Sequence, residues 1–169
     1  MLVSTVAAIV DRDLKAAQRE LDAYPDERQI WQAAPGMANT GGTLALHLAG
    51  NLQHYIGARL GGTSYLRDRS AEFARRDVPR AELVAELETA RSVVTSVLAR
   101  LTDEDLPAEF PEIIAEMRVD TEEYLVHLLV HLAYHLGQLD SHRRVVTGNV
   151  AGVGAVRPAE LGTARPPAG

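Results

Sequence analysis

Six histidines are the residues of this chain best suited to chemistry, and they fall in two short segments. His127, His131, His135 and His142 lie within TEEYLVHLLVHLAYHLGQLDSHRRVVT, residues 121–147; His47 and His54 lie within residues 40–60. An α-helix turns about 100° per residue, so positions four apart are separated by only ~40° in projection. On a helix, His131 and His135 therefore point the same way one turn apart, as two ligands of one metal ion must. Catalytic metal sites commonly use three protein ligands and leave a position for water or substrate. His47, on a second predicted helix, is the natural third donor. Asn51, one turn further along, could hydrogen-bond a metal-held water or supply a fourth ligand.

Other chemistries lack their residues. The chain has no cysteine, which removes disulfides, thiolate zinc sites and a cysteine nucleophile. Any metal must be held by imidazole and oxygen. There is no H-E-x-x-H, G-x-S-x-G, P-loop or G-x-G-x-x-G pattern. The competing reading of the histidines is structural, with buried imidazoles bonded to carbonyls or carboxylates. Against it stands the apolar company of Leu128, Leu129, Leu132 and Leu136, since a core holds several unpaired imidazoles only at a cost.

The elements that must position these residues read as helices. Residues 2–24 carry Val6, Ile9, Val10, Leu14, Ala17 and Leu21 at helical spacing and end at Tyr24-Pro25. The connector 25–42, with Trp31, two prolines and three glycines, is long enough to pack on the bundle or border a site. A second helix starts near Thr40 or Thr43 and runs to Leu60, where Gly61-Gly62 ends it. Residues 63–77 mix charges with little apolar content. They read as a solvated loop with a short helical piece; the alternative is a lid whose arginines meet an anionic substrate.

A third helix is expected over 79–101, with Pro79 in its first turn and Asp77 as cap. Residues 102–119 form an acidic, proline-bearing connector. Asp120 or Thr121 then caps the last helix, with a capping box between Asp120 and Glu123. After Gly148 the composition turns to Gly, Pro and Ala. The expectation is an all-α four-helix bundle over 1–148, a single domain, followed by a flexible or surface-lying tail over 149–169.

Length and charge bound the rest. At 169 residues the chain is one domain's worth and can bury roughly two-thirds of its unfolded surface. A net charge of −6 argues against nucleic acid as a partner, and no apolar run approaches the ~20 residues of a membrane span. Residues 1–10 read as the first turns of a helix and not as a signal peptide, so the default location is cytoplasmic.

The block His131-Leu-Ala-Tyr-His135-Leu-Gly137-Gln138, one turn after His127, resembles the H-x-x-x-H-x-G-Q signature of the DinB-like (DinB/YfiT) superfamily. His47-Leu-Ala-Gly-Asn51-Leu, followed by Gly61-Gly62 and residues 67–73 (RDRSAEF), is similar to a largely uncharacterised branch of it. The resemblance spans about residues 40–148. It implies a four-helix bundle, often a homodimer, in which His47, His131 and His135 hold a divalent metal, zinc or nickel foremost. It also implies a small-molecule substrate and, in characterised relatives, a low-molecular-weight thiol as cosubstrate of transferases and isomerases. Tyr134 and Leu136 depart from the histidine and arginine common at those positions, and the ligand triad survives both changes.

Gln138 then orients a ligand from outside the triad. His127 could replace His135 in the pair, but the Gly-Gln after His135 favours 131 and 135. His54 and His127 are the available proton carriers, and His142, ~16 Å along the helix from His131, is too distant to join them. Two functions remain open: a metal-dependent enzyme, by S-transfer or hydrolysis, and a non-catalytic metal- or ligand-binding bundle.

Overall fold

A computed structural model describes residues 2–167. Four long helices are joined by short helical pieces. They are α1 (Leu2–Asp22), α2 (Gly41–Leu52), α4 (Arg80–Leu98) and α5 (Thr121–Thr147), with the six-residue α3 (Arg69–Ala74) between α2 and α4. A 3-10 turn, Glu27–Trp31, follows α1, and another, Pro158–Glu160, lies in the tail. α1 and α2 each pack on both α4 and α5, so the four form the corners of a bundle. The described residues contain isolated β-bridges but no strand.

Apolar periodicity places the core. Leu14 and Leu21 of α1, Leu44, Leu48 and Leu52 of α2, Leu83 and Leu87 of α4, and Leu132 and Leu139 of α5 are all at most 1% exposed. Each such side chain contributes about 1.5–3 kcal/mol by leaving water. On α5 the buried leucines fall at 125, 128, 132, 136 and 139. The histidines at 127, 131 and 135 precede three of these by one residue and so flank the apolar stripe.

Helix boundaries differ from expectation where tertiary partners take over the capping. Thr40 caps α2, its side chain accepting from the amide of Thr43. Beyond Leu52 the same rod continues to Leu60 as a π-helix, ending at Gly61 and Gly62. Gly62 is left-handed at φ +68°, a conformation costly for any residue with a Cβ. The capping box expected at Asp120 does not form. The connector supplies its acceptors instead: the amide of Thr121 donates to the carbonyl of Ala108 and that of Glu122 to Leu106. Asp77 does not cap α4, because it is itself left-handed at φ 55° and Pro79 occupies the cap position. The Glu27 carboxylate accepts from the Arg80 amide in its place.

The connectors pack closely. Trp31 donates its indole N–H to the carbonyl of Val78, tying the first connector to the start of α4. Bridges between Glu109 and Asp120 and between Ile114 and Met117 fold residues 109–120 into a tight hairpin. Residues after Gly148 return along α1 and α5, where Arg143 donates to the carbonyls of Asn149 and Ala151 and Arg19 to that of Gly154.

Candidate metal centre

Across the α2–α5 contact, the Nε2 atoms of His47 and His131 lie 3.3 Å apart, and those of His131 and His135 lie 3.1 Å apart. Among the described residues this trio forms a group able to hold a metal ion. A tetrahedral ion with metal–nitrogen bonds of ~2.05 Å separates its ligand nitrogens by about 3.3 Å. The spacing fits. Two of the expected ligands come from one helix turn, and the third arrives from the facing helix at the same height.

The hydrogen bonds outside the trio decide which nitrogens face inward. His135 Nδ1 lies 2.7 Å from Gln138 Oε1, an acceptor, so it carries the proton and leaves Nε2 with a lone pair. His47 Nδ1 lies 2.9 Å from Glu72 Oε2, with the same consequence. His131 Nδ1 is buried without a partner. At least two lone pairs therefore converge with a third nitrogen in a space that one cation would fill and that a single shared proton could satisfy only in part. A donor set of imidazole nitrogens suits several divalent transition metals alike.

Electrostatics favour the neutral forms of His131 and His135. Burial, reinforced by the neighbouring imidazoles, pushes the His131 pKa down to about 4. Burial also lowers that of His135, although the hydrogen bond it donates to Gln138 opposes this. Burial alone would raise the Glu72 carboxyl, but hydrogen bonds from Arg67 and His47 outweigh it and hold the group below its ordinary value. A neutral imidazole is the state in which a histidine can bind a metal.

Glu72 and Arg67 had no place in the sequence-based site. Arg67 Nε is 2.6 Å from Glu72 Oε1 and its Nη2 is 2.9 Å from Oε2, a two-pronged ion pair only 9% and 6% exposed. The stretch read as solvated, or as a lid presenting arginines to an anion, thus turns its first arginine inward. The signal available was Gly50, three residues after His47. A Cβ there would stand 2.2 Å from Glu72 Oε1, so only glycine lets the carboxylate cross α2 to reach the imidazole.

The remaining candidates are dispersed. Asn51 is buried, and its Oδ1 has no partner. His127 is exposed, its ring stacked on Tyr124 at 5.5 Å and 6.3 Å from the ring of His131. His54 is not brought to the trio; its Nε2 lies 2.9 Å from Glu112 Oε2, a carboxylate that also receives Arg59. His142 is fully buried away from the site, accepting from the Tyr24 hydroxyl at 2.7 Å and donating to the Gln32 carbonyl at 2.9 Å. An aromatic wall of Tyr55, Phe110 and Tyr124 rises beside His127, and Phe73 stands 5.0 Å from His47. A cavity of about 210 Å³, bounded by residues 36–39, Leu44 and Gln138, adjoins His135 through Gln138.

No curated protein matches the chain. A family model described as mycothiol S-transferase matches residues 5–148, a span that takes in three of the long helices whole, all but the first three residues of α1, and every histidine.

Proposed function

Because the chain belongs to the mycothiol S-transferase family, within the DinB/YfiT-like superfamily, we propose that it moves the sulfur of a low-molecular-weight thiol onto a small electrophilic molecule, with a divalent metal at His47, His131 and His135. The observation that carries this reading is the convergence of three imidazole nitrogens within 3.3 Å steps across two helices. When bound, zinc or nickel would act as a Lewis acid that lowers the pKa of a thiol into the neutral range. The chain's own residues do the rest. His47, His131 and His135 donate lone pairs, and Gln138 holds His135 in the required tautomer. Phe73, Tyr124 and the exposed His127 shape the approach.

In the transfer itself the thiol loses its proton, sulfur forms a bond to an electrophilic carbon, and the leaving group departs with its electron pair. His127 is the proton acceptor we assign, being solvent-exposed and one turn from His131. Asn51 is assigned to the rim of the site, with its free Oδ1 as acceptor. His54, held by Glu112, serves to fasten the 109–120 hairpin to the second helix. Mycothiol is the thiol that the family's name suggests for this chain.

We place the protein in the cytoplasm, where such thiols are kept reduced; no helix is long and apolar enough to cross a membrane. A homodimer is the proposed assembly, with Val126, Val130 and Tyr134 along the outer side of α5 as its exposed apolar surface.

Metal content of tag-free protein tests the reading, followed by consumption of mycothiol in the presence of an electrophile. About one metal per chain, lost in His131→Ala, and thiol consumption abolished by chelation are expected. Wild-type protein that takes up neither Zn²⁺ nor Ni²⁺ would overturn it and leave a bundle with buried histidines.

A further inference from the structure

The outer environment of His47 differs from that of its two companions. His135 is backed by a neutral amide and His131 by no partner, whereas His47 is backed by a carboxylate already engaged by a guanidinium. Oε2 of Glu72 is shared: it lies 2.9 Å from His47 Nδ1 and 2.9 Å from Arg67 Nη2. Arg67 Nη2 also comes within 3.4 Å of His47 Nδ1, but an ionised carboxylate can only accept. The proton therefore sits on Nδ1, between the imidazole and Glu72.

Four features show that this arrangement is built. Glu72 and Arg67 belong to the short segment between α2 and α4, and neither side chain is more than 9% exposed. Gly50 clears the path of the carboxylate across α2. Asp68 caps α3 by accepting from the Ala71 amide, which fixes the turn that separates Arg67 from Glu72. Arg67 is further seated over the ring of Tyr55, 5.6 Å from its centroid.

A carboxylate alone behind His47 would polarise the imidazole and also place a negative charge beside the trio. The fork of Arg67 cancels that charge while leaving the hydrogen bond intact. We propose that Glu72 and Arg67 are positioning residues that lock His47 as the Nδ1–H tautomer and strip the carboxylate of its net field, so that the centre binds its metal through Nε2 yet keeps its full attraction for an anionic sulfur. This rests on the metal-centre reading above and adds to it the control of one ligand's proton and charge.

The test has a metal-free and a metal-loaded arm. In metal-free protein, long-range ¹H–¹⁵N correlation spectra of the imidazoles report the tautomer directly. His47 is expected as Nδ1–H in the wild type and as a mixture with Nε2–H in Glu72→Ala. In the second arm, Zn²⁺ affinity is measured by competition with a chromophoric chelator. Glu72→Ala should lose about 10–100-fold, the usual consequence of removing such a partner.

Arg67→Gln separates charge from geometry, because its amide can still donate to Glu72. It should retain the tautomer and bind Zn²⁺ severalfold more tightly than the wild type, an effect no loss of packing produces. Should this variant fail to fold, Arg67→Lys keeps the charge without the fork and should hold both tautomer and affinity near wild type. An unchanged His47 tautomer and wild-type Zn²⁺ affinity in Glu72→Ala would overturn the inference, as would an Arg67→Gln affinity as low as that of Glu72→Ala. Wild-type protein that shows the Nδ1–H tautomer but binds no Zn²⁺ overturns the metal reading itself, a distinct result.

Discussion

Oε1 of Gln138 stands 2.7 Å from Nδ1 of His135, three residues earlier on the same helix, so one turn of α5 carries both a ring of the candidate metal centre and the group that sets its proton. Replacing the amide removes the acceptor and frees the ring to choose the other tautomer. Gln138→Leu should therefore weaken Zn²⁺ binding by about tenfold or more with the fold intact. Gln138→Glu should bind at least as tightly as wild type, since it keeps an acceptor and adds a negative charge. Chelator competition measures both, and equal affinities in all three proteins would show that Gln138 does nothing for the centre.

Acid should weaken the metal-free protein in a defined window. The folded state holds His131 at about 4, below its ordinary 6.5. Between those values the unfolded chain binds a proton that the folded chain refuses, so stability falls as pH drops through 6.5 and the penalty is complete below about 4. Burial of His135 and His142 pushes in the same direction. Thermal melts of metal-free protein from pH 7.5 to 4 should show a falling midpoint, with a shallower fall in His131→Gln. A midpoint that stays level down to pH 5 contradicts this.

Gly50→Ala is a sharper probe than its size suggests. Alanine favours a helix over glycine by roughly 1 kcal/mol. Its methyl group, however, would meet Glu72 Oε1 at 2.2 Å and displace the carboxylate from His47. The expected outcome is a protein of unchanged or slightly higher melting temperature whose Zn²⁺ affinity is about tenfold lower. If affinity is retained, the glycine serves the helix contact and not the centre.

Away from the histidine trio, Arg143 should dominate the stability of the other half of the bundle. It is fully buried, paired with the equally buried Glu20, and it donates to Asp140 and to the carbonyls of Asn149 and Ala151. Removing one member of a buried ion pair leaves the other charge uncompensated, at about 3–5 kcal/mol. Arg143→Ala should unfold at correspondingly lower urea and expose residues after Gly148 to protease, while metal content per folded chain stays near that of wild type. A loss below ~1 kcal/mol would mean that water replaces the guanidinium.

What the sequence made legible was set by periodicity. That His131 and His135 come together was readable because side chains on one helix obey its pitch, and the leucines beside them announced the buried side. His47 could be matched to them because it lies among leucines and alanines on a helix bound to be buried. Glu72 was hidden for the opposite reason. It lies five residues from Arg67 across a loop-to-helix boundary, where no period applies, among charges that resemble a wetted surface. The π-helix over Gln53–Leu60 escaped notice as well, since widening a helix by one residue per turn leaves composition unchanged. Asp120 does hold the cap position of α5, but its capping box and the Asp77 cap misled because a cap residue signals a local need that distant backbone or side chains can meet first.

The trio also joins parts of the chain that are far apart along it: His47 and His131 are 84 residues distant in sequence. A bound ion would therefore close a long loop in a polypeptide that contains no cysteine to do so. Closing such a loop costs entropy that grows slowly with its length, so most of that cost is met once, when α2 first finds α5. Metal binding before the bundle is complete would tether those two helices and leave α4 to dock against an already ordered pair. The ion would then act as a folding clasp as much as a reagent, and chelation would be felt first as an unzipping between α2 and α5.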